Sequence, residues 1–182
     1  MAFIDPEPVS TSTGLELSTQ QPIVTADLYD LHHQSLDVCE LQFRSFGKRM
    51  SFFGPCVTVK TFEDHLPVLD ALQTPGQGQV LVVDAGGSTR VGVMGDRVAE
   101  VGVSNGWIGA VIFGAIRDSA GIDALDFGVK ALATTARRSW VHGVGHRDIP
   151  LSFGGAHFES GFWIYADRDC VLVSPKRLPF GG

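Results

Sequence analysis

Residues 110–121, AVIFGAIRDSAG, run four apolar residues into a glycine and two more small or apolar residues, then break abruptly at Arg117 and Asp118. Arginine offers a planar fork of donors that matches a carboxylate, and aspartate offers a hard oxygen ligand for Mg²⁺ or Mn²⁺. Side by side, the two suit a small anion that itself chelates a cation, such as a 2-oxo acid. The same dipeptide also occurs as a surface ion pair or a helix cap, and spacing alone leaves both readings open. A second stretch of this kind is VLVVDAGGS from Val80, where Asp84 and two glycines follow four apolar residues. Asp84 and Arg90 could support a cleft, or close a turn and sit at the surface.

Other chemistries find less support. Lys130 in VKAL could form a Schiff base only in a desolvated or cationic pocket, which the sequence does not display. His142 and His146 share a four-residue spacing that would align them on a helix as zinc ligands, but HGVGH is too glycine-rich for a helix and reads as a loop. PGQGQV stops short of a dinucleotide fingerprint, because Leu81 stands where its third glycine belongs, and no Gly-x-Ser-x-Gly elbow is present. Glu159, Asp167 and Asp169 are acids without a defined partner, and Trp107, Phe113, Phe127 and Trp163 read as packing residues.

The elements that must position Arg117 and Asp118 follow from hydrophobic pattern. Thr25 is placed to cap a helix through about His33, with Leu28 and Leu31 on one face. PCVTVKTF alternates as a strand, and Glu63 to Leu72 reads as a helix with Pro67 near its start. The continuous apolar runs from Val80 and from Ala110 are the pattern of strands covered on both faces. Asp96 starts a helix to about Asn105 that Gly106 closes. Residues 118–126 form a short helix or turn, VKALATT is a strand, and beyond Val141 short strands are broken by glycine-rich turns. The middle of the chain is therefore α/β and its end all β. In α/β architectures ligands bind beyond the carboxyl ends of buried strands, which is where Arg117 and Asp118 stand.

Composition narrows the class. With 182 residues, 44% hydrophobic and 19% charged, the chain can bury a core without staples, and one domain over residues 23–175 is expected between a flexible extension, residues 1–22, and a short tail, residues 176–182. The net charge of −6 disfavours direct nucleic-acid binding, which depends on basic groups neutralising phosphates. Three widely spaced cysteines, Cys39, Cys56 and Cys170, suggest neither a disulfide framework nor a zinc knuckle, and fit a reducing compartment. No apolar run approaches the roughly 18 residues that span a bilayer, so a soluble, unsecreted, cytoplasmic protein is expected.

From about Thr25 to Val173 the chain resembles the RraA family, which takes its name from regulator of ribonuclease activity A and includes 4-hydroxy-4-methyl-2-oxoglutarate aldolases. TADLYD, LQFRSFGKRMSFFGP, TVKTFED, VLVVDAGGS, GDRVAEVGVSNGWIGAVIFGAIRD, LDFGVKAL, GVGHRDIPLSFGG and FGGAHFESGFWIYAD carry the resemblance. It implies an α/β fold of the swivelling β/β/α sandwich type, assembled as a ring-shaped trimer or a hexamer of stacked rings. It implies substrate binding by Gly95, Asp96, Arg97, Val98 and Arg117, with Arg117 and Asp118 catalytic and Asp118 the metal ligand. The implied activity is lyase chemistry dependent on Mg²⁺ or Mn²⁺: aldol cleavage of a short 2-oxo dicarboxylate, or decarboxylation of oxaloacetate, releasing pyruvate. The regulator branch implies instead a non-catalytic protein that binds and inhibits a ribonuclease. One residue departs from the aldolase pattern, which places Glu or Asp three residues after the Arg-Asp aspartate; here that position is Gly121, with Asp123 two residues further on.

Overall fold

The computed structural model describes residues 22–140 and 142–179, so the expected extension lies outside the described residues except for Pro22, as do residues 180–182 of the expected tail. The chain begins with α1 (Thr25–His32), the short strands β1 (Asp37–Cys39) and β2 (Arg44–Phe46), and the long β3 (Phe52–Lys60). Helix and strand then alternate through α2 (Leu66–Leu72), β4 (Val80–Asp84), α3 (Asp96–Ser104), β5 (Gly109–Ile116), α4 (Ser119–Asp123) and β6 (Gly128–Thr134). Five short strands follow: β7 (His146–Arg147), β8 (Leu151–Phe153), β9 (Ala156–Phe158), β10 (Trp163–Ala166) and β11 (Val171–Ser174). A mixed sheet runs in the order β1-β11-β10-β3-β4-β5-β6-β2, with β7 added to β3, and β8–β9 form a separate hairpin.

β3 joins the two halves of that sheet. Its first residues, Phe52–Pro55, pair antiparallel with β10, whereas Cys56–Lys60 pair in parallel with β4. β4, β5 and β6 continue the parallel array. The apolar runs in β4 and β5 have a direct cause, since alternate side chains serve different cores. Leu81, Val83 and Ile112 pack with Val68 and Leu72 of α2 and Ala99 of α3. Val80, Val82 and Val111 pack on the opposite face with Phe153, Phe158, Ile164 and Val173 from the all-β end. Each such valine or leucine, wholly removed from water, contributes about 1.5–3 kcal/mol, and the two cores together hold the carboxyl ends of the parallel strands in place.

Departures from the sequence reading have identifiable physical causes. Thr25 does not cap α1: it is the first helical residue, and Val24 is the cap. The carboxylate of Asp167 does the work from the far end of the chain, accepting from Thr25 N at 2.7 Å and from Thr25 Oγ1 at 2.8 Å. Leu28 is buried but Leu31 is 70% exposed, so the two do not share an apolar face. α2 begins at Leu66 rather than Glu63, because Glu63 takes a left-handed φ of 53° and Asp64 Oδ1 accepts the Leu66 N–H at 3.0 Å. β3 starts three residues earlier than PCVTVKTF suggests, where Phe52 enters the core beneath β10. Gly106 closes the turn after α3 with a φ of 80°, as its position in the sequence suggests. Residues 176–179 pack against the body, since Leu178 is buried and its N–H donates to Tyr165 Oη at 2.6 Å.

Two buried groups explain their own chemistry. Lys130 is 1% exposed, its Nζ donates to Ser45 Oγ at 2.8 Å, and burial pulls its ammonium below the ordinary lysine range. Cys56 is pushed up to about 12 by burial, which keeps it a thiol at neutral pH.

Asp167 gives a test of the long-range cap. Burial pushes its carboxyl up, but hydrogen bonds from Thr25, Asp169 and Cys170 outweigh that and hold it below its ordinary value of 3.8. A depressed folded-state pKa contributes stability above the unfolded value and loses it as pH falls through the folded one. Asp167→Ala is expected to lower unfolding free energy by about 1–3 kcal/mol at pH 7, measured by urea denaturation. Its deficit relative to the unsubstituted chain should shrink as pH is lowered below 3.8.

Candidate functional site

The carboxyl end of β5 and the start of α3 are stitched together by backbone. Gly92 bridges both Ala115 and Arg138, Val93 N donates to Ala115 O at 2.9 Å, and Arg117 N donates to Met94 O at 2.9 Å. Residues 92–94 thus lie along the end of β5, and the chain turns at Gly95 directly into α3. The result is one cavity of about 540 Å³ lined by all of the residues expected from the sequence: Gly95, Asp96, Arg97, Val98, Arg117 and Asp118. His65, Leu69, Gly92 and Arg138 complete its wall.

Arg117 Nε donates to Asp118 Oδ2 at 2.8 Å, and the two side chains remain 31% and 43% exposed. They form an ion pair, but one that faces the cavity rather than packed neighbours. Asp118 reaches this position with a left-handed φ of 51°, while its carbonyl accepts from Gly121 N at 3.0 Å and Ile122 N at 3.2 Å to start α4. Gly95 leaves the room they need. A Cβ there would stand 3.0 Å from Asp118 Oδ2 and 3.2 Å from Arg117 Cγ. Across the cleft, Asp96 Oδ1 accepts from Arg97 N at 2.7 Å. That N–H at the helix start is therefore occupied by the protein's own carboxylate.

Charge in the cavity opposes charge in the chain. Arg97, Arg117 and Arg138 face Asp96 and Asp118, so three guanidinium groups against two carboxylates leave one net positive charge, while the whole chain carries −6. An anion is attracted to this cleft more than to any average part of the surface. The two carboxylates supply hard oxygen donors, the set preferred by Mg²⁺ and Mn²⁺. Asp118 Oδ1 accepts no hydrogen bond from a described residue, so it can face a cation while Oδ2 holds Arg117.

His65 sits where no sequence signal placed a functional residue. Desolvation pulls its imidazole below the ordinary value of 6.5, aided by Arg138, His142 and Arg117 and opposed by Asp64. Asp64 beside it is buried and well used: Oδ1 also accepts from His142 Nδ1 at 3.0 Å, and Oδ2 accepts from Gly143 N at 3.0 Å. Burial pushes its carboxyl up, but the Leu66 N–H, His142 and the Gly143 N–H outweigh it and hold it below 3.8. His142 is not aligned with His146, which lies in β7 and pairs with Lys60. Asp64 and His142 are 78 residues apart, beyond the reach of any local spacing rule.

The remaining acids and cations take structural roles. Asp84 Oδ1 accepts Gly86 N at 2.9 Å and closes the glycine turn, and Arg90 Nη2 pairs with Glu63 at 2.7 Å. Glu159 pairs with His157 at 2.8 Å, and neither it nor Asp167 or Asp169 lines the cavity. Asp123 Oδ1 accepts Gly47 N at 2.8 Å, which removes it as a substitute for an acid at position 121.

Gly121 itself lies against the site. A Cβ on it would come within 2.6 Å of both Asp96 Cβ and Asp96 Oδ2. Because Asp96 Cβ is fixed to the helix backbone, Gly121→Ala must displace α3 or α4. It is expected to cost about 1–3 kcal/mol by overpacking, read as a lowered urea midpoint; a midpoint unchanged from the unsubstituted chain would show that α3 and α4 separate at this point without loss of packing.

Comparison with known proteins places this geometry in context. A family model described as RraA-like, Aldolase/RraA, matches residues 25–173. A protein of Alkalilimnicola ehrlichii is 45% identical over 156 residues, covering 86% of this chain and 97% of its own length. One of Aromatoleum aromaticum is 46% identical over 154 residues, covering 85% and 97%. Both are provisionally named 4-hydroxy-4-methyl-2-oxoglutarate aldolases. Among solved structures, the RNA-processing inhibitor RraA of Thermus thermophilus superposes with a TM-score of 0.83 at 36% identity, covering 87% of this chain and 96% of that one. A Geobacillus kaustophilus protein described as an S-adenosylmethionine:2-dimethylmenaquinone methyltransferase also gives 0.83, at 47% identity, with 86% and 97% covered.

Proposed function

This chain belongs to the RraA-like, Aldolase/RraA family, and we propose that it is a divalent-metal-dependent lyase that cleaves a short 2-oxo dicarboxylate and releases pyruvate, by aldol cleavage, by decarboxylation of oxaloacetate, or both. The observation that carries this reading is the Arg117–Asp118 pair, open to a cavity that also holds Asp96 and two further arginines. A nucleoside cofactor needs a largely apolar slot for its ring, and the three arginines in the wall of this cavity favour a small polyanion instead. Metal dependence, the pyruvate product, the preferred cation, assembly as a trimer or hexamer and a cytoplasmic location all belong to the proposal. Among the described residues no helix is long and apolar enough to cross a membrane.

Asp118 is the residue that would hold Mg²⁺ or Mn²⁺, and Asp96 lines the same cavity. Such an ion supplies Lewis-acid stabilisation of the negative charge that develops on the keto oxygen as the carbon–carbon bond breaks. Arg117 orients the substrate carboxylate next to the reacting carbon, held in place by its Nε–H bond to Asp118. The same guanidinium adds positive potential where charge grows, and removing one preorganised donor of this sort costs about 10²–10³-fold in rate. Arg97 and Arg138 are placed to receive a second carboxylate, so dicarboxylates are expected to be preferred over pyruvate-sized acids.

The direct test is pyruvate release from oxaloacetate and from 4-hydroxy-2-oxo acids. Chelator is expected to abolish turnover and added Mg²⁺ or Mn²⁺ to restore it. Asp118→Ala should lose at least about 100-fold in kcat while keeping the thermal midpoint of the folded protein, and Arg117→Lys should raise KM and lower kcat together because a point charge replaces the fork. Full turnover by metal-free Asp118→Ala would sink the assignment.

The likeness to the Thermus thermophilus inhibitor favours one other reading, a non-catalytic regulator that docks its acidic surface on basic segments of a ribonuclease. That reading predicts ribonuclease inhibition that weakens as salt rises, together with no turnover of any 2-oxo acid.

A further inference from the structure

Asp64, His65 and His142 each offer one donor atom, and the three atoms lie within 4.8 Å of one another. His142 Nδ1 is 3.0 Å and His65 Nδ1 3.9 Å from the same Asp64 oxygen. Ligands held at about 2.0–2.2 Å from a tetrahedral Zn²⁺ stand roughly 3.3–3.6 Å apart, so the two separations bracket what a shared ion requires. We propose that these three residues form a second cation site, separate from Asp118 and selective for imidazole-seeking divalent ions of the Zn²⁺ class.

Donor chemistry separates the two sites. The Asp118 side of the cavity offers carboxylate oxygens, the set suited to Mg²⁺ or Mn²⁺, whereas two imidazoles and one carboxylate favour Zn²⁺, Co²⁺ or Ni²⁺. The second site is also braced. Asp64 is buried and fixed by the N–H groups of Leu66 and Gly143, so the carboxylate is aimed before any ion arrives. The His65 and His142 rings meet edge to face with centroids 5.8 Å apart, and His142 is 48% exposed, which gives an ion a route in from solvent. Three protein ligands leave a position for water, the open arrangement of a reactive or exchangeable site rather than a closed structural one.

The position has a consequence for the cavity. His65 belongs to both the ion site and the cavity wall. A divalent ion bound by one carboxylate and two neutral imidazoles adds positive charge beside Arg117 and Arg138, which strengthens the cleft for anions. It also ties the segment carrying His142 to the start of α2.

The experiment uses the untagged full chain titrated with Co²⁺, whose visible absorption reports nitrogen ligation and low coordination number. Bands distinct from those of the aqueous ion are expected at one equivalent, removed by competing Zn²⁺ and not by Mg²⁺. His65→Ala and His142→Ala should each weaken Co²⁺ binding at least about tenfold, and the double variant should lose the Zn²⁺-induced rise in thermal midpoint that ligand binding to the folded state produces. Asp118→Ala should keep the Co²⁺ spectrum, which separates this site from the lyase metal and lets either assignment fail alone. A spectrum indistinguishable from aqueous Co²⁺, or binding unchanged in the double histidine variant, would overturn the proposal.

Discussion

The site depends on a short stretch of backbone pairing. Where β5 ends, residues 92–94 take up its unpaired edge through Val93 N–H to Ala115 O and Arg117 N–H to Met94 O. That pairing satisfies backbone groups that would otherwise be lost to the interior. It also fixes where α3 starts, since only Gly95 separates Met94 from the helix. Arg117 and Asp118 are thereby held opposite Asp96 and Arg97, though the two pairs are far apart along the chain. Gly92 extends the pairing to Arg138 on its other side, which brings the third guanidinium into the same cavity.

Such a pairing is only as firm as the strand beneath it. β5 lies between β4 and β6 in a parallel array, with one face on the helices and the other on the all-β end. A strand buried on both faces cannot shift register without sending apolar side chains to the wrong core. The glycine-rich, charged end of the strand therefore inherits the rigidity of its apolar body. β3 adds to this by belonging to both halves of the sheet, so the all-β end and the α/β middle share a strand rather than a linker.

What could be read from the sequence was what is local. The apolar runs at Val80 and Ala110 identify buried strands, and the charged pair after the second marks its carboxyl end. The start of α3 at Asp96 and its close at Gly106 follow from residue types at helix ends. The failure at α1 has a tertiary cause, in that a distant group did the work a neighbour was expected to do. Asp167 holds the start of α1 across 142 residues in place of Thr25, and Asp64 engages His142 across 78, a contact that no local pattern announces. His65 and Arg138 were invisible for the same reason, since neither belongs to a motif and both enter the cavity only through tertiary packing. The family resemblance supplied roles for six cavity residues that composition and spacing could not, and it said nothing of those two.

Gly121 shows why a departure from a family pattern is better judged in space than in sequence. An acid at this position would place a third carboxylate against Asp96, where like charges disfavour joint ionisation unless a proton or a cation lies between them. A third carboxylate beside Asp96 and Asp118 would also weaken the positive potential that Arg97, Arg117 and Arg138 set up. With glycine, Asp96 occupies that space alone and the cleft keeps its net positive charge from the outset. Anion capture by Arg97, Arg117 and Arg138 then needs no cation to offset a third carboxylate.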